Sequence, residues 1–166
     1  DAKRVNQIYE FVLNDFPDIF WCSGAAETTA YQIPGGGYSE FCPEYTYEGE
    51  QKEQMQAQIE AEAEAILGAA DVSQSDPEYD RIRYVYEYVI RSVDYVENAS
   101  DSQNLYSALV NKESVCAGYA RETQYLLERL GVFCTYVTGT TRGQPHAWNL
   151  VRCDGNYYYV DTTWGD

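Results

Sequence analysis

The chain has 166 residues, 45% of them apolar, and carries 27 acidic against 11 basic side chains for a formal net charge of −16. That length can bury a sizeable core within one domain. The carboxylate excess repels nucleic-acid phosphates and anionic lipid, and no apolar run approaches the ~18 residues of a transmembrane helix, so nucleic-acid binding and membrane insertion are both set aside.

Residues 1–16 predict a helix, because Val5, Ile8, Tyr9, Val12, Leu13 and Phe16 recur at helical spacing and Pro17 stops it. The same stretch lacks the charged head and apolar run of a signal peptide. IFWCSG and FCPEYTYEG then read as two strands around a loop, AAETTAYQIPGGGYSE, that holds three successive glycines. From Glu48 to Ala70 the composition favours a helix with Met55, Ile59, Ala63, Ile66 and Leu67 along one face.

DVSQSDPEYD is the clearest break, dividing a helical and β-hairpin portion, residues 1–75, from a core over 76–166 in one continuous domain. It also predicts a helix start, with Ser75 as N-cap, Pro77 in the first turn and Glu78 completing a capping box. Ile82, Val85, Val89 and Val93 line that helix's core face. The following loop, NASDSQ, contains a glycosylation sequon at Asn98-Ala99-Ser100, a match too short to be specific. A further helix runs from near Ser114 to a terminating Gly131, and the strand VFCTYVTG, the loop TTRGQP and a hairpin complete the chain. Helices first and adjacent strands last make an α+β pattern.

Five cysteines leave at least one thiol unpaired, and no Cys-x-x-Cys spacing suggests a structural zinc site. Cys22 and Cys42, and likewise Cys134 and Cys153, flank turns; each pair is either a cross-strand disulfide or, the commoner fate, two small buried thiols. Cys116 differs from these. It lies in the first turn of its helix, where free N–H groups and the helix dipole favour a thiolate. His146 is the only imidazole in the chain, opening the strand HAWNLVRC, and Asp161 belongs to NYYYVDTTW. A two-residue turn at Asp154-Gly155 places residue 163 opposite His146 and Asp161 diagonal to it on the same face. A four-residue loop also leaves them on one face, whereas a three-residue loop without a bulge separates them. Thiol, imidazole and carboxylate together are what acyl transfer by cysteine requires. The same three residues have acceptable ligand types for a metal, but no metal motif accompanies them.

SVCAGYARE, PHAWNLV and YYYVDTTWGD resemble the three motif blocks of the transglutaminase-like superfamily, most of all its bacterial, often secreted, cysteine-peptidase-like branch. The resemblance covers about Asp76 to Asp166, with fainter likeness in DIFWCSG and CPEYTYEGE. It implies a papain-like α+β fold in which the cysteine helix packs on an antiparallel sheet, and it implies Cys116 as nucleophile, His146 as base and Asp161 as its orienting carboxylate. By position it implies that Tyr106 helps the oxyanion. Trp148 and Trp164 are candidate cleft walls beside the histidine and aspartate. No cofactor is implied. The substrate would be a protein or peptide amide, with water as acceptor in a peptidase or a lysine amine in a cross-linking enzyme, and hydrolysis is favoured by analogy. A catalytically silent cell-surface binding module is the reading from a different class. An extracellular or surface location follows from the resemblance and fits a chain with three lysines. Relatives of this kind continue past the position of Asp166, so a final strand or part of the substrate cleft is expected beyond it.

Overall fold

A computed structural model describes residues 2–165; Asp1 and Asp166, where the expected first helix begins and the expected core ends, lie outside the described residues. The chain runs α1 (Ala2–Asp15), β1 (Cys22–Ile33), β2 (Gly36–Tyr45), α2 (Gly49–Gly68), α3 (Glu78–Ser92), β3 (Asp94–Tyr95), α4 (Leu105–Leu109), β4 (Glu113–Ser114), α5 (Cys116–Arg129), β5 (Cys134–Thr141), β6 (Gln144–Cys153) and β7 (Asn156–Val160). The fold class is α+β.

Helix α5 is the axis. Ten of its residues are buried, among them Tyr119, Leu126 and Leu127. The same core takes Met55, Ile59, Ala63 and Ile66 from α2 and Val85 and Val89 from α3, so these apolar stripes meet where the spacing predicts. Val93, just beyond α3, and Phe20 join them. Arg81 is an unexpected member, a buried cation whose Nη1 donates to the Leu130 carbonyl at 2.6 Å, where the α5 dipole is negative. At that end Gly131 adopts φ 73°, and the N–H of Val132 returns to the Leu127 carbonyl.

Three antiparallel strands in the order β5-β6-β7 form the main sheet. The β6–β7 register pairs Cys153 with Asn156 and Asn149 with Val160, as a two-residue turn at Asp154-Gly155 requires. Both turn residues have positive φ, the mark of a primed turn that matches strand twist. On β6 the burial alternates: Ala147, Asn149, Val151 and Cys153 are buried, while His146, Trp148 and Leu150 are partly exposed. Asn149 donates to the carbonyl of Ala120 in α5 at 2.9 Å, which shows that the buried face meets the cysteine helix.

Several expectations change. Gly36 and Gly37 are strand residues, because only Pro34-Gly35 forms the turn and AAETTAYQI pairs along β1. The capping box at Ser75 and Glu78 does not form; Pro77 occupies the cap position and no side chain caps the helix. Asp76 instead accepts from the backbone and hydroxyl of Ser73, and Glu78 accepts the Asp154 N–H at 2.7 Å, tying α3 to the hairpin turn. Helix α5 begins at Cys116 rather than near Ser114, because Glu113 and Ser114 bridge in parallel to Asp94 and Tyr95. All five cysteines are free thiols. Register explains the separation: Cys42 lies opposite Glu27 rather than Cys22, and Cys134 lies opposite Val151.

The N-terminal portion is bonded directly to α5, since Arg121 Nη1 donates to the Leu13 carbonyl and Gln124 Nε2 to that of Asn14. No helix among the described residues is long and apolar enough to cross a membrane.

Candidate functional site

Strand register and a side-chain bond build the site around His146. Its Nε2 lies 2.7 Å from Asp161 Oδ2, and the imidazole is largely sheltered from solvent. Asp161 follows the last residue of β7, where the chain leaves the sheet. Its other oxygen, Oδ1, accepts the N–H of Thr163 at 3.2 Å, which holds the carboxylate in a local turn. The next residue, Thr162, is buried with its hydroxyl 3.1 Å from that of Thr123 in α5. The carboxylate segment is therefore anchored to the helix that Cys116 begins.

Both candidate tryptophans touch the imidazole. Trp148 stacks on it, with ring centroids 5.7 Å apart and planes at 25°. Trp164 meets it edge-on, centroids 6.1 Å apart, and its indole Nε1 lies 3.0 Å from His146 Nε2. Asp161 and the indole thus compete for one nitrogen. Protonated, Nε2 donates to the carboxylate and cannot accept from the indole; deprotonated, the reverse holds. The shorter, charge-assisted bond to Asp161 is the stronger, and it leaves the lone pair on Nδ1, which has no partner among the described residues.

Trp148 owes its position to Gly139, which lies directly across from His146. A Cβ at residue 139 would come within 2.6 Å of the indole Cη2. Arg142, in the adjoining turn, lies 4.3 Å from the centre of the Trp164 ring.

Cys116 is the first residue of α5, partly exposed. No hydrogen bond joins its sulfur to the imidazole in this structure. Two tyrosines stand near it. Tyr95 has its pKa raised by burial first and then by Cys116 and Glu97, and Tyr136 by burial with a smaller contribution from Cys116. Tyr95 also borders a cleft of about 370 Å³ lined by His146, Thr163, Trp164, Arg142 and Gln144, so it neighbours both halves of the candidate site.

Tyr106, which the resemblance implies as a helper of the oxyanion, lies between α4 and α2. Its hydroxyl donates to Gln58 Oε1 of α2 at 2.6 Å and its ring stacks on Phe20 in the core. It is engaged in packing α4 on α2. Nothing in the sequence marks Tyr95, because a two-residue parallel bridge carries no periodicity.

The backbone before Cys116 is fixed by small side chains. The hydroxyls of Ser107 and Ser114 are 2.6 Å apart, and Ser114 donates to the Ser102 carbonyl. Gly118, one turn into α5, packs on this pair so closely that a Cβ would lie 1.9 Å from Ser114 Oγ. Among the described residues no three His, Cys, Asp or Glu side chains converge on a point that could hold a metal ion.

Comparison with known proteins adds an independent line. The family model described as Transglutaminase-like superfamily matches residues 68–162. The chain is 23% identical over 111 residues to kyphoscoliosis peptidase of Mus musculus, and equally to that of Homo sapiens, a match covering 57% of this chain. It spans only 17% of the length of those curated relatives. Among solved structures, one described as a TGase superposes with a TM-score of 0.56 at 16% identity, covering 82% of this chain and 44% of the other. A candidate cysteine protease from Cytophaga hutchinsonii superposes with a TM-score of 0.52 at 14% identity, covering 84% and 62%.

Proposed function

Because the chain belongs to the transglutaminase-like superfamily, related to cysteine proteases and transglutaminases, we propose that it is a thiol-dependent acyl-transfer enzyme acting on amide bonds of proteins or peptides, with Cys116 as nucleophile, His146 as base and Asp161 as the group that orients the ring. The observation that carries this reading is the 2.7 Å bond between His146 Nε2 and Asp161 Oδ2, which directs the other ring nitrogen to proton transfer.

In the reaction, His146 Nδ1 takes the thiol proton and the Cys116 sulfur attacks the amide carbonyl carbon. The C–N bond then breaks, and the imidazolium gives its proton to the departing amine. Water attacks the thioester with His146 again as base, releasing a carboxylic acid and restoring the thiol. Sulfur and imidazole must close to hydrogen-bond distance for the first step, a tightening common between free and substrate-bound enzymes. The N–H groups of Cys116 and Ala117, at the start of α5, are the donors left for the developing oxyanion, since those of Gly118 and Tyr119 already donate to the Val115 carbonyl. Tyr95, which borders the cleft lined by His146, is a second candidate helper beside Tyr106.

Hydrolysis is the preferred outcome over cross-linking, in keeping with the peptidase names among the relatives. The test is the pH dependence of alkylation of each cysteine, read by mass spectrometry in wild type and His146→Ala. Cys116 is expected to alkylate faster at neutral pH than the other four thiols, and only in wild type. Ordinary reactivity in both proteins would overturn the proposal in favour of a binding module. Peptide-amide turnover with and without an added alkylamine then separates hydrolysis from transfer.

A further inference from the structure

A second cavity, about 400 Å³, lies where the N-terminal portion meets the core. Its wall is formed by Leu13 and Phe20, by Cys22 and Ser23 at the start of β1, by the loop from Ala99 to Asn104, and by Arg121. The loop is pinned to the beginning of α5, because the Ser102 carbonyl accepts the Ser114 hydroxyl at 2.9 Å and the Val115 N–H at 3.5 Å. The cavity therefore adjoins the end of the helix that carries Cys116.

Arg121 gives this cavity its chemistry. Its guanidinium is held by two carbonyls, Nε donating to Gln103 at 3.2 Å and Nη1 to Leu13 at 2.7 Å, and its flat face lies 4.6 Å from the Tyr136 ring centre. No carboxylate lies within ion-pair distance of it among the described residues, and Nη2 has no partner there. Burial lowers its pKa, with only the Tyr136 phenol acting the other way. A sheltered, uncompensated cation is unusual in a chain of net charge −16. Asp101 also borders the cavity, but its oxygens accept the hydroxyls of Tyr47 and Ser100.

We propose that this cavity binds a carboxylate of the substrate, anchored on Arg121. The group is either an acidic side chain or a chain-terminal carboxylate. Its place beside the scissile bond rests on the acyl-transfer reading above; the binding itself does not. A guanidinium already fixed by two carbonyls and a ring loses little freedom on pairing, and its remaining N–H groups suit a planar anion.

The test uses the Cys116→Ser chain, so that binding is read without turnover. Acetyl-Ala-Glu-Ala-amide is titrated against its Gln counterpart, and acetyl-Ala-Ala-Ala with a free carboxylate against its amide. At low salt, one carboxylate peptide should bind about tenfold tighter than its neutral twin, as a charge-assisted hydrogen bond predicts. The preferred peptide identifies the source of the carboxylate. It should also slow iodoacetamide labelling of Cys22, and its advantage should vanish in Arg121→Gln. Equal affinity of both pairs, or an advantage that survives Arg121→Gln, overturns the proposal. Should that variant not fold, Ser23→Trp fills the cavity from an exposed strand position and leaves the guanidinium in place. Loss of acidic-peptide binding in it supports the proposal, and undiminished binding refutes it. The alkylation test of Cys116 stands or falls separately.

Discussion

The environment of one nitrogen, His146 Nε2, sets what the imidazole can do. Asp161 favours the tautomer with a proton there, and the Trp164 indole favours the other. Replacing the indole by a ring without an N–H should remove the competition and keep the edge-on packing. In Trp164→Phe, nitrogen-15 spectra are expected to show Nδ1 more fully deprotonated than in wild type; an unchanged tautomer ratio would mean that the indole exerts no control. Such a contest was not legible in the sequence, where Trp164 is a candidate wall and nothing marks its N–H as aimed at the ring. The partnership of His146 with Asp161 was legible, because a two-residue turn fixes register and register fixes faces.

At the scale of elements, the β5–β6 pair decides where the Trp148 ring rests. Gly139 leaves no room for a side chain beneath that indole. Gly139→Ala should displace the ring from the imidazole and cost about 1–3 kcal/mol, typical of overpacking, with activity falling as well. Truncating the indole at the same time, in Gly139→Ala/Trp148→Leu, should restore thermal stability without restoring turnover. Recovery of neither would indicate that the glycine matters for another reason. The long elements announced themselves by period. The short ones did not: β3, β4 and their bridge occupy two residues each, and pairing between segments so far apart in the chain leaves no local pattern. Helix α1 shows the opposite failure. Its stripe predicts burial, yet Ile8, Val12 and Phe16 are all more than a third exposed, because α1 packs chiefly on the hairpin and meets the middle of α5 through its carbonyls.

For the whole molecule, the cost of building around α5 is concentrated in Glu122. This carboxyl is fully enclosed, neither oxygen is hydrogen-bonded, and Lys112 Nζ approaches only to 3.9 Å. Burial pushes its pKa up to about 7; Lys112 pulls it down and Glu62 adds to the rise, so desolvation outweighs the ion pair. A carboxyl that holds its proton more tightly when folded makes stability fall as pH rises from its unfolded pKa to its folded one. Stability should therefore decline between about pH 4.5 and 7 through this group and then level. Glu122→Gln should flatten that decline and exceed wild type at pH 8, as urea midpoints across pH would show. An identical slope in the variant would remove Glu122 as the cause. Nothing in the sequence marks Glu122 as buried or short of partners, since that depends on how closely Lys112 approaches it in the folded chain.

The β6–β7 hairpin also bears on the order in which the chain is made. Its two-residue turn brings His146 and Asp161 together across a loop short enough to close at small entropic cost. Cys116 precedes His146 by thirty residues. The thiol is therefore polymerised before either partner, and the pair that would activate it forms as one local unit. On the proposed mechanism a nascent chain would keep a dormant sulfur until the hairpin docks, where the Thr162 hydroxyl meets that of Thr123 in α5.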